Sequence, residues 1–148
     1  MSESAGKTTW SYSDLKAHYA EGIWVKLEIG GEVRLRDTTF ETSNQIDEMI
    51  ATYKKANGLE PGADVPMKDM VAMQASQLID YLVTGYDIEG LDPAGRDEKP
   101  VDKDKLRELV SYPIVFQAIW AAWGTLRART TKSQEIEEKN SSAPSPAS

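Results

Sequence analysis

The chain has 148 residues, with 24 acidic and 17 basic side chains, a net charge of −7 and no cysteine. That length suits one domain with a core of its own. The acidic balance argues against general nucleic-acid binding, where phosphate neutralisation supplies most of the affinity, and the missing cysteines exclude disulfides and thiolate metal sites.

No apolar run approaches the ~20 residues needed to span a bilayer, so no membrane segment is expected. Residues 1–9 are small and polar, unlike a signal or transit peptide, and are expected to be disordered. The globular domain is expected over residues 10–129. Ser13 is placed to cap a short helix over residues 14–20, with Leu15 and Tyr19 on one side and Gly22 beyond its end.

Residues 23–36 read as a β-hairpin, because Val25, Leu27 and Ile29 alternate with Trp24, Lys26 and Glu28, and Val33 and Leu35 alternate with Arg34 and Arg36. A two-residue Gly30-Gly31 loop would set apolar residues against charged ones. A three-residue loop, Gly30 to Glu32, or a bulged equivalent, opposes Ile29 to Val33 and Leu27 to Leu35, and gathers one apolar face. Thr42 and Gln45 form a capping-box pattern ahead of Ile46, Met49, Ile50 and Tyr53, and Gly58 supplies a stop.

Pro66 suits the first position of a central helix predicted over residues 67–86. Val71, Ala75, Leu78 and Leu82 recur at helical steps, Met67, Met70 and Ile79 widen the stripe, and Gly85 is read as the stop. A long acidic connection, residues 86–101, follows. Asp102 then caps a helix bearing Leu106, Leu109 and Val110. Pro113 opens the last helix, with Ser111 as its cap and Phe116, Ile119, Trp120, Trp123 and Leu126 inside.

From Thr130 onward only Ile136 is large and apolar. Its burial returns about 1.5–3 kcal/mol against about 1–2 kcal/mol of backbone entropy per ordered residue. Residues 130–148 are therefore expected to form a disordered tail rich in Ser, Pro and Ala. The fold class is mainly α, of the α+β kind: an N-terminal β-hairpin packed on a bundle of about four helices. The expected core includes Val25, Leu27, Leu35, Ile50, Leu78, Leu82, Leu106, Ile119 and Trp120.

Catalytic patterns are missing. There is no cysteine nucleophile, G-x-S-x-G, P-loop or G-x-G-x-x-G. His18 is the only histidine, and a surface or partly packed role is expected for it rather than catalysis. The acids of the long connection fail the EF-hand spacing, since the fifth and sixth positions counted from Asp87 are Leu91 and Asp92. No catalytic, cofactor-binding or metal residue is assigned, and no enzymatic activity is expected. The partner-binding candidates are Met70, Met73, Trp120 and Trp123. Methionine faces adapt to varied partners, and tryptophans anchor interfaces, although core filling is the more expected role for the methionines and for both tryptophans. Met73 lies off the central stripe and is expected to be exposed.

The segments VKLEIGGEVRLRD, QLIDYLVTGYDIEG and KPVDKDKLRELVSYP, followed by a last helix and a polar tail, carry a resemblance over residues 23–128. In this order the chain resembles the short tail assembly chaperones of long-tailed bacteriophages. Tyr86 stands where that family has Trp in its gWD segment, and Asp102 stands in place of a Thr. The resemblance implies a non-enzymatic protein of the host cytoplasm, absent from the finished virion. It implies binding to the tape measure protein and recruitment of tail tube protein. It also implies a longer product made by ribosomal frameshifting, for which Glu138-Lys139-Asn140 permits a slippery site. A small head–tail connector or tail completion protein is the alternative.

Overall fold

The computed structural model describes residues 9–142, with side chains through residue 129. Among these residues, five α-helices accompany one three-stranded antiparallel sheet, so the chain is mainly α with a β-hairpin, as the periodicity predicts.

Helix α1 (Tyr12–Lys16) is capped by Ser11 rather than Ser13. Ser11 Oγ accepts from the Asp14 N–H at 3.1 Å, and the Asp14 carboxylate accepts from the Ser11 N–H at 2.9 Å. These two bonds satisfy both amides reciprocally. A wider π turn, Ala17–Glu21, leads on to Gly22 at φ +99°. A Cβ there would stand 2.4 Å from Thr84 Oγ1, so both the backbone angle and the space call for glycine.

Strands β1 (Ile23–Lys26) and β2 (Glu32–Leu35) form the expected hairpin in a different register. Val25 pairs with Val33 and Ile23 with Leu35, so the loop spans residues 27–31 rather than 30–32. The shift is even, so Leu27, Val33 and Leu35 stay on the predicted apolar side, but Ile29, expected opposite Val33, falls in the loop and is exposed. Leu27 leaves the ladder and is buried in the core, its amide donating to the Gly31 carbonyl at 3.0 Å.

Helix α2 (Phe40–Ala56) starts earlier than expected, because Thr39 is its cap: Thr39 Oγ1 accepts from the Thr42 N–H at 3.2 Å. Gly58 does end it. The Leu59 amide donates to the Lys54 carbonyl at 2.8 Å and the Gly58 amide to that of Lys55 at 3.3 Å, the paired bonds of a Schellman stop.

The central helix is shorter than predicted. Helix α3 (Met67–Gln77) passes through a π turn, Leu78–Leu82, into strand β3 (Val83–Asp87). The steps Leu78, Leu82 and Tyr86 look helical, yet a bulge produces the last of them. Val83 pairs with Leu35, Gly85 with Arg34 and Tyr86 with Val33, leaving Thr84 as the extra residue. Val83 and Tyr86, three apart, are therefore both buried. Gly85 is not a helix stop. It sits inside the strand, where a Cβ would meet the Ala94 carbonyl at 2.8 Å and the Trp24 ring at 3.1 Å.

Helix α4 (Lys103–Val110) begins as predicted, with the Asp102 carboxylate accepting from the Asp104 and Lys105 amides at 3.0 and 3.2 Å. Helix α5 (Pro113–Ser142) opens at Pro113. Its first acceptor is the Tyr112 carbonyl, which takes the Val115 and Phe116 amides at 3.0 and 2.9 Å. Ser111 is not its cap; its hydroxyl donates to the Glu108 carbonyl at 2.6 Å and closes α4. Residues 130–142 continue α5 where a disordered tail is expected. Thr, Lys, Gln and Glu through that stretch include no glycine or proline to stop a helix before Pro144. Residues 1–8 and 143–148 of the expected disordered ends lie outside the described residues.

The core lies between the inner sheet face and α5, with α4 and the π turn closing its end. Leu27, Leu35, Leu78, Leu82, Leu106 and Ile119 are buried there as predicted. Val25 and Trp120 pack against the core half-buried, whereas Ile50 lies outside it. We expect Leu78→Ala, at a position with no exposed surface, to lose about 2–5 kcal/mol of stability through lost transfer energy and a cavity. Urea unfolding checks this, and an unchanged midpoint would contradict the packing described.

Candidate interaction surface

His18 is neither on the surface nor partly packed. It is fully buried, and its Nε2–H donates to Asp37 Oδ2 at 3.1 Å. A carboxylate only accepts, so this bond fixes the proton on Nε2. The rings of Trp10 and Tyr19 meet the imidazole edge-on, with centroids 5.1 and 4.6 Å away. Asp37 Oδ1 accepts from the Thr38 N–H at 2.7 Å and lies 3.6 Å from Arg127 Nε. The Asp37 N–H donates to the His18 carbonyl at 2.9 Å. Sealed from solvent, the pair reaches no substrate. Chemically it ties the N-terminal helix to the end of β2 and to α5.

The outer sheet face is held by a second polar cluster. Arg96 donates to Asp87 Oδ2 at 2.8 Å and to Glu32 Oε1 at 2.6 Å, and stacks on the Trp24 ring at 3.8 Å. Arg34 donates to Thr84 Oγ1 and the Thr84 carbonyl at 3.0 and 3.1 Å. Asp87, one of the acids read as a solvated loop, is therefore a partner of Arg96. Tyr86 and Ala94 exchange both backbone hydrogen bonds at 2.9 Å, which folds the connection against the edge of β3. Beside it, Tyr86, Asp92, Lys99, Asp102 and Lys105 line a cleft of about 500 Å³. Burial, then the Asp102 charge, push the Tyr86 hydroxyl above its ordinary range, so it stays protonated and can donate. Among the described residues no group of three His, Cys, Asp or Glu side chains could hold a metal ion.

Two of the four partner-binding candidates are inside the molecule. Met73, expected to be exposed, is 7% accessible, because α3 turns it toward the core. Trp123 is buried too, its Nε1–H donating to the Arg36 carbonyl at 3.2 Å and its ring covered by Arg127 at 4.8 Å. Trp120 is half-buried and stacks between Phe116 and Trp123, at centroid distances of 5.8 and 5.2 Å. Met70, also half-buried, borders an open apolar surface on α3.

That surface belongs to the arm formed by α2 and α3. Helix α2 has no buried residue along its 17 positions. It meets the rest of the fold chiefly through α3, and the Tyr53 hydroxyl donates to the Asp69 carboxylate between them. On α3, Met67 and Val71 are exposed at 77% and 38%. One turn apart, they continue past Met70 as an apolar stripe in water. The Met67–Val71 step is legible in the sequence, but there it reads as core.

The His18–Asp37 pair makes a prediction about acid. Burial pushes the Asp37 carboxyl up, but the bond from His18, the Thr38 amide and the Arg127 charge together hold it below its ordinary range. A carboxyl lowered in the folded state adds stability above its unfolded pKa and loses it as pH falls through the folded one. Asp37→Asn should therefore cost about 1–3 kcal/mol near neutral pH, with the gap to the parent chain closing below about pH 4. Urea midpoints across that range check this; a constant gap would contradict it.

No protein-family model, curated protein or solved structure matches the chain.

Proposed function

We propose that this chain is a non-enzymatic tail assembly chaperone of long-tailed bacteriophages, which binds helical segments of a tape measure protein and helps recruit tail tube subunits. The observation that carries the reading is the α2–α3 arm. A long helix without a buried residue lies on a second helix whose apolar stripe, Met67 and Val71, faces solvent. Such a stripe receives an amphipathic helix through anchors at helical spacing. The half-buried Met70 beside it supplies an adaptable side chain. The ordered sequence segments resembling that family, over residues 23–128, support the specific client. The net charge of −7 suits a basic partner.

The site of binding changes with the geometry. Met73 and Trp123 serve the core, so the client is assigned to Met67, Met70 and Val71. Co-expression with a tape measure fragment tests this. We expect the fragment's soluble yield to rise with the parent chain and to return toward baseline with Met67→Ser/Val71→Ser, with circular dichroism verifying that the variant folds. Equal solubility with and without the chain would overturn the proposal. Mass spectrometry of purified particles separates it from a structural virion component, since a chaperone is missing from them.

A further inference from the structure

Helix α2 ends on the dipeptide Asn57-Gly58, and both residues are exposed. An asparagine followed by glycine is chemically reactive. The glycine nitrogen can close a small ring on the asparagine Cγ, and no side chain on the glycine obstructs it or limits its backbone angles. A Cβ on Gly58 would meet nothing within 4 Å, so its surroundings are open as well. Asn44, inside the same helix, precedes Gln45 and provides an internal comparison.

The folded helix end restrains this reaction. Asn57 Nδ2 donates to the Tyr53 carbonyl at 2.8 Å. Asn57 at ψ 12° turns the Gly58 nitrogen away from the side chain it must attack. The Gly58 N–H donates to the Lys55 carbonyl at 3.3 Å, beyond the usual range of about 2.7–3.2 Å. That bond is the weak one. Helix ends fray, and α2 buries no residue that would resist opening. Losing the last turn frees the nitrogen, the ψ angle and the side-chain amide together.

We propose that Asn57 is a site of spontaneous deamidation, gated by fraying of α2. The Gly58 nitrogen gives up its proton to water or hydroxide and attacks Asn57 Cγ. The new C–N bond closes a succinimide, the bond from Cγ to Nδ2 breaks, and the departing nitrogen takes up a proton and leaves as ammonia. Water then adds to either ring carbonyl and opens the ring to aspartate or isoaspartate. Both products alter the helix end. A carboxylate only accepts, so residue 57 can no longer bond the Tyr53 carbonyl. It also places a negative charge at the negative end of the helix. Isoaspartate lengthens the backbone and breaks the Schellman stop. The inference is independent of the proposed client.

Incubating the purified full chain in weakly alkaline buffer makes the test. Peptide mapping by mass spectrometry follows Asn57 and Asn44, and protein isoaspartyl methyltransferase detects isoaspartate. We expect Asn57 to convert to a mixture of aspartate and isoaspartate, faster as pH rises, while Asn44 stays intact. Direct hydrolysis gives aspartate alone, so isoaspartate marks the ring. Unfolding the chain in urea should raise the rate at Asn57 severalfold, because fraying no longer limits it. In the variant Asn57→Asp, the amides of Lys54 to Ala56 should exchange with solvent faster than in the parent chain. The proposal is overturned by an Asn57 that survives as long as Asn44, by aspartate without isoaspartate, or by a rate that unfolding leaves unchanged. It is also overturned by an Asn57→Asp chain whose helix end exchanges as in the parent.

Discussion

Strand β2 is bonded along both edges, and that double pairing governs the rest of the molecule. Val33 meets Val25 on one side and Tyr86 on the other; Leu35 meets Ile23 and Val83. A lone hairpin is marginal in water, so the third strand makes the sheet viable. To provide it, the chain must leave the helix at Leu82 and turn Val83 and Tyr86 inward together. The bulge at Thr84 makes that possible. The spare residue also has its own work, since Thr84 Oγ1 accepts from Arg34 and donates to the Glu21 carbonyl at 2.8 Å. Gly22 and Gly85 lack side chains because this packing leaves them no room.

The two faces of the sheet are closed by different means. Inside, α5 and α4 bury Leu35, Leu82, Leu106 and Ile119, and burial is the driving force. Outside, a single cation, Arg96, ties Glu32, Asp87 and Trp24 together and pins the connection that follows β3. These ion pairs are partly exposed and are worth modest energy each. Their geometry nonetheless gives the long connection one place to lie. The His18–Asp37 pair secures a third edge, and being buried it loses more if broken.

Much of this was legible, and the failures share a cause. Asp102, Pro113, Gly58 and Gly22 mark element ends through local chemistry, and local chemistry is what a sequence carries. The hairpin's apolar face followed from alternation alone, although its register did not, because β3 and the loop glycines also constrain it. Leu78, Leu82 and Tyr86 kept helical spacing across a helix end, so strand β3 stayed hidden. Misplacing that end also misplaced Met73. His18 lies on a short polar-looking segment, and only its distant partner Asp37 accounts for its burial. Phe40 was left outside the helix because the helix was started at Thr42, three residues beyond its cap.

The chain divides into a tightly held sheet-and-helix core and a weakly held helix, α2, that has no buried residue. A helix supported along one side only opens more easily than strands paired on both edges. Native-state hydrogen exchange in dilute solution measures this directly. Amides of Val33, Leu35 and Tyr86 should exchange only through global unfolding, and those of Ile46 to Tyr53 through a local opening of clearly lower free energy. Equal protection of α2 and the sheet would contradict the division on which the functional reading rests.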